Sequence, residues 1–316
     1  MVQLPDIDRL MAGDLGVFLA EQRGARVEAK AQAWSRGWKA ALIAGPIMLL
    51  GLVAVPIEFG PKLWACAFAI GLIAMWVRAP IVAAKKRVKV GINEGIAGAL
   101  GLAYEHDRED CREFALAHSF GLVPRFGRKT LEDFWEGELE GTPFLLHEAH
   151  LEERRGSGKN RRWVTIFRGA IIRIGGARRF HGTTLVQRAG RHKSWFGGRK
   201  DTIRLGGQQL DLVDMVHPDF DDTFEVWSSD QVEARYLVHP LYVERLLAIE
   251  AAFSGKAIRS LFTGGDIVIA VDSGNLFESG TMDADRDRAM VERCAAQFGS
   301  LGRLAQVVNE TRDMGA

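Results

Sequence analysis

Two apolar runs near the start of the chain dominate the pattern of hydrophobic and polar positions. The first, residues 40–57, contains eighteen positions without a charge, and as a helix it spans about 27 Å, close to one hydrocarbon core. The second, residues 62–84, carries charge only near its two ends. Because Gly60 and Pro61 lie between the runs, the pattern predicts a transmembrane helical hairpin over residues 40–84. The alternative is a pair of buried helices in a soluble core.

Basic residues flank the two runs on their outer sides and are scarce between them, where Glu58 opposes Lys62. The flanking set is Arg23, Arg26, Lys30, Arg36 and Lys39 before the first run, Arg78 near the end of the second run, and Lys85, Lys86, Arg87 and Lys89 after it. Since segments rich in Lys and Arg stay in the cytoplasm, both termini are expected to be cytoplasmic. A cleaved signal peptide is not expected, because residues 1–39 precede the first run and a second span follows it.

The hairpin divides the rest of the chain into a short part before it and a long part after it. Residues 1–39 are predicted to form a cytoplasmic helix that leads into the membrane, where it either lies on the inner leaflet or packs on the cytoplasmic domain. Residues 85–316 are long enough for one large domain or two small ones. At their start, residues 85–102 are predicted to continue the second span as a helix.

Strand patterns begin near Thr130 and continue, with interruptions, to Glu278. The stretch 134–152 has a Gly-Thr-Pro turn at its centre, which is typical of a β-hairpin. Further strands are predicted at 162–174, 183–187, 202–205, 224–227, 260–263, 266–271 and 276–278. Helices are predicted at 109–119, capped by Asp107 or Asp110, at 240–252 and at 283–312. Because strands and helices do not alternate regularly, the sequence predicts an α+β fold: a mixed, largely antiparallel, β-rich cytoplasmic domain with flanking helices.

Overall composition excludes several classes of function. The chain has 41 Lys and Arg against 40 Asp and Glu, a formal net charge of +1, so no nucleic-acid partner is expected. Cys66, Cys111 and Cys294 lie far apart, which argues against a disulfide framework or a paired zinc site and suits a reducing cytoplasm. Two Gly-Lys pairs lack the hydroxyl residue of a phosphate-binding loop, and no cofactor is expected.

Charge is nevertheless polarised along the chain. Residues 154–204 contain fifteen Lys or Arg and one acid, Asp201, whereas residues 211–233 are strongly acidic. A domain tethered to the inner leaflet can turn basic residues toward anionic lipid, each contributing about 1 kcal/mol. The candidate contacts to lipid headgroups or to a partner protein are Arg178, Arg179, Arg188, Arg191, Lys193, Trp195, Arg199 and Lys200. The alternative is that these residues lie in solvated loops and strand edges, some of them paired with the acidic segment.

Two polar clusters are candidates for metal binding or catalysis. Glu148 and His150 share one face of a predicted strand, but a metal site normally needs more ligands than this stretch directs to one point. The Asp219–Asp222 segment lacks the Gly and Glu of a calcium loop and is typical of a turn. A Ser-His-Asp arrangement has no nucleophile elbow to support it. The sequence therefore predicts no catalytic or metal-ligating residue.

The segment 217–240 carries motifs by which the chain resembles a bacterial family of uncharacterised membrane proteins with two N-terminal spans and a cytoplasmic C-terminal domain. The motifs are Pro218–Phe220, Phe224–Asp230 and Glu233–Tyr236, with Phe167–Gly169, Phe180–Thr184 and Leu276–Glu278 elsewhere. The resemblance covers most of the chain after residue 85 and implies a location in the bacterial inner membrane. It implies no activity, substrate or cofactor.

Within these motifs, Phe220, Phe224 and Tyr236 are expected to anchor the core. Arg235, the one base in an acidic stretch, is expected to be ion-paired within the fold. The functional alternative for Arg235 is a ligand-binding pair with an aspartate.

Three hypotheses of function follow. The leading one is a non-enzymatic inner-membrane protein whose cytoplasmic domain binds a partner protein or anionic lipid headgroups. The second is a membrane-anchored, hydrolase-like enzyme that uses His150 with Glu148 or the Asp219–Asp222 cluster. The third, a small transporter or channel component, is disfavoured for a monomer by two spans without an intramembrane acid. A homo-oligomer is a further alternative, since the last helix has a narrow apolar seam that suits either the core or an oligomer contact.

Overall fold

The computed structural model describes residues 6–54, 56, 58–139, 141–175, 179–190, 200–215 and 223–313. They form two compact units. The hairpin unit consists of Asp6–Gly95 and Glu278–Val291, and the sheet unit consists of Ile96–Phe277 and the chain from Glu292 onward. The chain therefore leaves the hairpin unit once and returns to it near the end.

Two long helices account for most of the hairpin unit. The short helix α1 (Ile7–Ala12) is followed by α2 (Asp14–Ala54) and α3 (Phe59–Leu100). The second apolar run lies inside α3, and the first lies inside α2 as far as Ala54. The turn is shorter than the sequence suggests, because Pro61 lies in the first turn of α3, where a backbone N–H has no intrahelical partner to lose.

Away from the turn, Glu278–Val291 packs on α2 and α3. Arg26 of α2 and Asp287 form two parallel hydrogen bonds of 2.9 Å each, and the exposed fractions of these residues are 2% and 3%. Ser279 donates its hydroxyl to Asn93 Oδ1 at 3.1 Å. A buried bidentate pair of this kind fixes both the position and the orientation of the returning segment.

The described residues of the sheet unit form a ten-stranded antiparallel sheet. Its strands are β1 (Leu102–Asp107), β2 (Arg128–Leu139), β3 (Thr142–Arg155), β4 (Arg162–Gly175), β5 (Thr184–Arg188), β6 (Thr202–Leu205), β7 (Gln208–Val213), β8 (Phe224–Ser228), β9 (Lys256–Thr263) and β10 (Asp266–Asp272). Their order is β1-β2-β3-β4-β10-β9-β5-β8-β7-β6. The β9–β10 hairpin thus lies between β4 and β5, and the α+β fold class is confirmed.

Helices cover both faces of the sheet. They are α4 (Arg112–Ser119), α5 (Gln231–Leu237), α6 (Pro240–Ala252) and α7 (Asp287–Asp313). On one face, Phe114 of α4 belongs to a buried cluster with Phe134 and Trp227. On the other, the ring of Phe298 in α7 lies 4.7 Å from that of Trp135. The apolar seam of the last helix is therefore buried against the sheet.

Several local predictions from the sequence are wrong or incomplete. Leu276–Glu278 is not a strand: Leu276 and Phe277 are buried in an irregular segment, and Phe277 has φ 44°. The residue that caps α4 is Cys111, whose sulfur accepts from the Phe114 N–H, rather than Asp107 or Asp110. The sequence also does not predict β1, β7 or α5.

We expect Arg26→Met to lower the stability of the hairpin unit, because it leaves the carboxylate of Asp287 buried without its guanidinium. Breaking a buried pair in this way costs about 3–5 kcal/mol. The apparent melting temperature of the full-length protein in detergent measures the effect. Arg23→Met, on the exposed side of the same helix, is the matched control and should leave the melting temperature unchanged. The double variant Arg26→Met/Asp287→Leu should recover most of the loss; a double variant as unstable as Arg26→Met alone would contradict this account.

Candidate functional site

The surface of the helical hairpin is apolar and exposed. None of the most apolar eighteen-residue window of α2 or of α3 is buried within the protein. Large side chains stand out along both helices. Among residues 40–84 the most exposed are Val53 at 79%, Trp64 at 79%, Met75 at 72% and Phe68 at 71%. Soluble proteins bury such side chains, so this finding is inconsistent with the alternative of two helices inside a soluble core.

Aromatic and basic side chains mark the two ends of the exposed apolar surface. Phe59 and Trp64 lie near the turn, and Trp38 and Trp76 lie at the other end. At that end the Arg36 guanidinium lies 5.0 Å from the centre of the Trp76 ring and donates to the Trp76 carbonyl at 3.0 Å. Phe59 and Trp76 are separated by a helical rise of about 26 Å. That distance matches the apolar thickness of a bilayer, and Trp with Arg is typical of its boundary.

A groove of about 430 Å³ runs between α2 and α3 at the Trp38 end. Its lining includes the small residues Ala33 and Gly37, the indoles of Trp34 and Trp38, and Lys30. The small residues let the helices approach closely, and Gly37 has room beside Val77 for little more than a Cβ atom.

The eight residues predicted as lipid or partner contacts fall into two groups. Arg178, Arg191, Lys193, Trp195 and Arg199 lie outside the described residues. Of the other three, Arg179 and Lys200 are exposed. Arg188, on β5, forms an ion pair with Glu250, and its guanidinium lies 4.7 Å from the centre of the Phe224 ring. Arg188 thus makes its contacts within the sheet unit.

Arg173, another basic residue of the 154–204 segment, also has acidic partners. Arg173 lies 3.0 Å from Glu113 and 3.6 Å from Asp266. By contrast, four arginines at the β3–β4 hairpin are exposed: Arg154, Arg155, Arg161 and Arg162. The described part of the basic segment therefore combines internal ion pairs with one exposed arginine cluster.

The candidate catalytic residues are not arranged for metal binding. His150 Nε2 lies 2.8 Å from the Thr165 hydroxyl across the β3–β4 ladder, and Glu148 is only 4% exposed. Within the described ranges, no three His, Cys, Asp or Glu side chains lie close enough together to hold a metal ion. The Asp219–Asp222 segment lies outside the described residues. Arg235 donates to the backbone carbonyls of Asp214 and Gln231.

A contact between Cys111 and His147 is not apparent from the sequence, because 36 positions separate the two residues. The Cys111 sulfur, at the N-terminus of α4, lies 3.3 Å from His147 Nε2. His147 Nδ1 lies 3.2 Å from the Glu148 carbonyl, so Nδ1 carries the proton and Nε2 accepts from the thiol. The imidazole also stacks on Phe134, with ring centres 4.8 Å apart.

The environment of this pair favours the uncharged form of both groups. Burial lowers the pKa of His147 to about 4. Burial also raises the pKa of the Cys111 thiol to about 11, although the Phe114 N–H works in the opposite direction. A catalytic cysteine needs the thiolate, which forms beside a protonated histidine. At neutral pH this pair is a thiol hydrogen-bonded to a neutral imidazole, and its arrangement is that of a core contact.

A second polar cluster joins β1 to β2. Asp133 is fully buried and has φ 53°, a conformation that costs free energy for a residue other than glycine. Its Oδ1 accepts from the Tyr104 hydroxyl at 2.6 Å and lies 3.1 Å from His106 Nδ1. The ladder between β2 and β3 is irregular at this point. These hydrogen bonds offset the backbone strain and hold the edge strand β1 in place.

Comparison with known families finds a match over the C-terminal part of the sheet unit. The model of the DUF3137 family matches residues 165–310. The description of that family is a protein of unknown function. The match extends from β4 into α7, so the expected likeness to an uncharacterised domain family is confirmed for this part of the chain.

Among solved structures, the chain is similar to the crystal structure of the mycobacterial trehalose monomycolate transport factor A, TtfA. The TM-score is 0.36 and the sequence identity 12%, over 69% of this chain and 94% of that one. Likeness at this level gives no basis for an argument about function. No curated protein matches the chain.

The burial of His147 predicts a dependence of stability on pH. Its pKa of about 4 in the folded protein lies below the ordinary value of 6.5, so the unfolded chain binds the proton more readily. The contribution of neutral His147 is complete above pH 6.5 and is lost as the pH falls toward 4, by about 3 kcal/mol in total. Thermal unfolding between pH 7 and pH 4.5 measures this loss. His147→Leu should flatten the profile and His150→Gln should not; equal slopes in all three proteins would contradict the assignment.

The raised pKa of Cys111 predicts slow alkylation. With its pKa raised from 9.0 to about 11, the thiolate fraction at pH 8 falls about 100-fold. Mass spectrometry of the Cys111 peptide after a timed reaction with iodoacetamide measures the rate. The control is the same peptide in urea-unfolded protein, which should react faster by at least that factor. Similar rates in the folded and unfolded protein would show that burial does not suppress the thiolate of Cys111.

Proposed function

We propose that the chain is an integral membrane protein of the bacterial inner membrane, in which α2 and α3 cross the bilayer and the sheet unit is a non-enzymatic binding domain in the cytoplasm. The observation that carries this proposal is the exposed apolar surface of the hairpin. Each large aliphatic or aromatic side chain left in water forgoes about 1.5–3 kcal/mol. A lipid bilayer removes that cost along the whole exposed surface, and helices satisfy their own backbone hydrogen bonds there.

The distribution of charge supports the orientation. The exposed residues Lys30 and Lys39 of α2, and Arg78 and Lys85–Arg87 of α3, lie on the side of the apolar surface away from the turn. The Lys62 ammonium near the turn donates to the Leu52 carbonyl at 2.9 Å, within the hairpin. Since basic segments remain on the cytoplasmic side, this asymmetry favours two cytoplasmic termini.

Two features support a binding role over catalysis. The Cys111–His147 pair is in its uncharged form at neutral pH, as described above. His150, the residue at the centre of the enzyme hypothesis, is engaged with Thr165. The exposed arginines of the β3–β4 hairpin are instead suited to holding an anionic partner, because guanidinium groups bind phosphates and carboxylates in bidentate fashion. The partner of the sheet unit is proposed to be anionic lipid or a membrane-associated protein, with a second copy of the chain as a further candidate.

Fractionation of cells that produce the full-length protein tests the membrane assignment. The protein should sediment with membranes, stay there after an alkaline carbonate wash and dissolve only in detergent. A reporter fused to the C-terminus should be active only if that end is cytoplasmic. Protein left in the supernatant without detergent, or a reporter active outside the cytoplasm, would overturn the proposal.

Substitution of apolar residues in the predicted spans by arginine also tests membrane insertion. Ile47→Arg combined with Leu72→Arg puts a guanidinium near the middle of each predicted span, at about 2.5–3.5 kcal/mol per site on insertion scales. We expect a reduced share of the protein in the membrane fraction. The matched control is Val27→Arg, on α2 but outside the apolar run, where the side chain is 67% exposed against 65% for Ile47. An equal effect of the control would count against insertion.

A further inference from the structure

The hairpin of β3 and β4 projects beyond the strands on either side of it. Its ladder continues to the pair Arg155–Arg162. On one side, β2 pairs with β3 only as far as Glu152, and on the other, β10 pairs with β4 only from Gly169 onward. Residues 153–164, here called the ribbon tip, therefore belong to a two-stranded ribbon, and no other strand of the described residues pairs with them.

Arginines are concentrated at this tip. Arg154, Arg155, Arg161 and Arg162 are all exposed. Arg155 bonds to Glu153 at 3.0 Å, whereas in the part of the chain that the structure describes no carboxylate pairs with the other three. Arg155 and Arg162 lie directly opposite each other in the ladder. Like charges in that position destabilise a sheet, and an anion bound between them would remove the repulsion.

The other face of the ribbon tip carries an indole. Trp163 lies opposite Arg154 in the ladder and is 40% exposed. The guanidinium of Arg128 lies 4.6 Å from the centre of the Trp163 ring and pairs with Glu152. This contact holds the ring in place while part of it remains open to solvent. A fixed, half-exposed indole beside exposed cations has the chemistry of a residue at a lipid–water boundary.

We infer that the ribbon tip is a binding site for the phosphate headgroups of an anionic phospholipid surface, with the four arginines on phosphates and Trp163 at the interface. The inference rests on the proposed function, since membrane anchoring brings the sheet unit to a high local concentration of such lipids. Lipid is favoured over an acidic protein because the guanidinium groups lie on both faces of a narrow ribbon, so that a surface with many mobile headgroups can engage all of them. Cationic side chains near anionic lipid each add to binding and lose strength as salt is raised.

Hydrogen–deuterium exchange of the full-length protein in nanodiscs tests this inference. Neutral nanodiscs contain phosphatidylcholine alone; anionic lipid is presented as phosphatidylglycerol either in the nanodisc or in added vesicles. We expect amide exchange in residues 153–164 to slow by about five- to tenfold with anionic lipid in at least one presentation. The effect should disappear in high salt. Unchanged exchange in both presentations would overturn the inference.

Two variants separate the ribbon tip from general basic charge. The quadruple variant Arg154→Gln, Arg155→Gln, Arg161→Gln and Arg162→Gln should abolish the protection. The control, Arg204→Gln with Lys256→Gln, also removes exposed positive charge and should preserve the protection. Loss of protection in the control, or its persistence in the quadruple variant, would refute the assignment to the tip.

A further arm distinguishes lipid from free phosphate. Inorganic phosphate added to the protein in neutral nanodiscs should give no protection. Protection by phosphate alone would overturn the lipid assignment. If the protein remains in the membrane fraction but the tip shows no response to anionic lipid, the inference fails while the proposed function stands.

Discussion

Apolar surface that the fold cannot cover is the constraint on which this molecule depends. A pair of antiparallel helices can bury only the faces turned toward each other, so the apolar outer faces of α2 and α3 remain exposed. In the sheet unit the same problem is solved internally, because α4 covers one face of the sheet while α6 and α7 cover the other. The two units thus differ in how they bury apolar side chains. The hairpin unit has continuous apolar runs in its sequence, whereas the sheet unit has periodic patterns of apolar and polar residues.

Sequence patterns predict the elements that depend on near neighbours. The long helices follow from uninterrupted apolar runs, and the β2–β3 hairpin follows from alternation around a Gly-containing turn. The tight turn between β6 and β7 uses Gly206 and Gly207 at positive φ, but β7 itself is missed because its polar residues weaken the alternation. Leu276–Glu278 shows the opposite failure. Its apolar residues resemble a strand but pack into the core without strand partners.

The candidate functional site likewise has features that the sequence predicts and features that only the fold reveals. The aromatic and basic ends of the hairpin can be located from composition alone. The ribbon tip cannot, since its projection depends on where β2 and β10 stop pairing, and those limits are tertiary facts. The Cys111–His147 contact is similarly hidden, because neither residue belongs to a local motif and their meeting depends on the packing of α4 against β3. Chemistry that arises from distant residues requires the fold before it can be assessed.

The pairing of Arg26 with Asp287 sets an order of events during synthesis. The two residues are 261 positions apart, so at about 5–20 residues per second the ribosome needs roughly 15–50 seconds to supply the second after the first. During that interval the rest of α2, all of α3 and then the ten strands of the sheet are synthesised. Until Asp287 is made, Arg26 lacks the carboxylate with which it pairs. The hairpin unit, which is begun first, is therefore completed only after all ten strands of the sheet have been made. Release of the nascent chain before residue 287 would leave the buried guanidinium of Arg26 without its carboxylate.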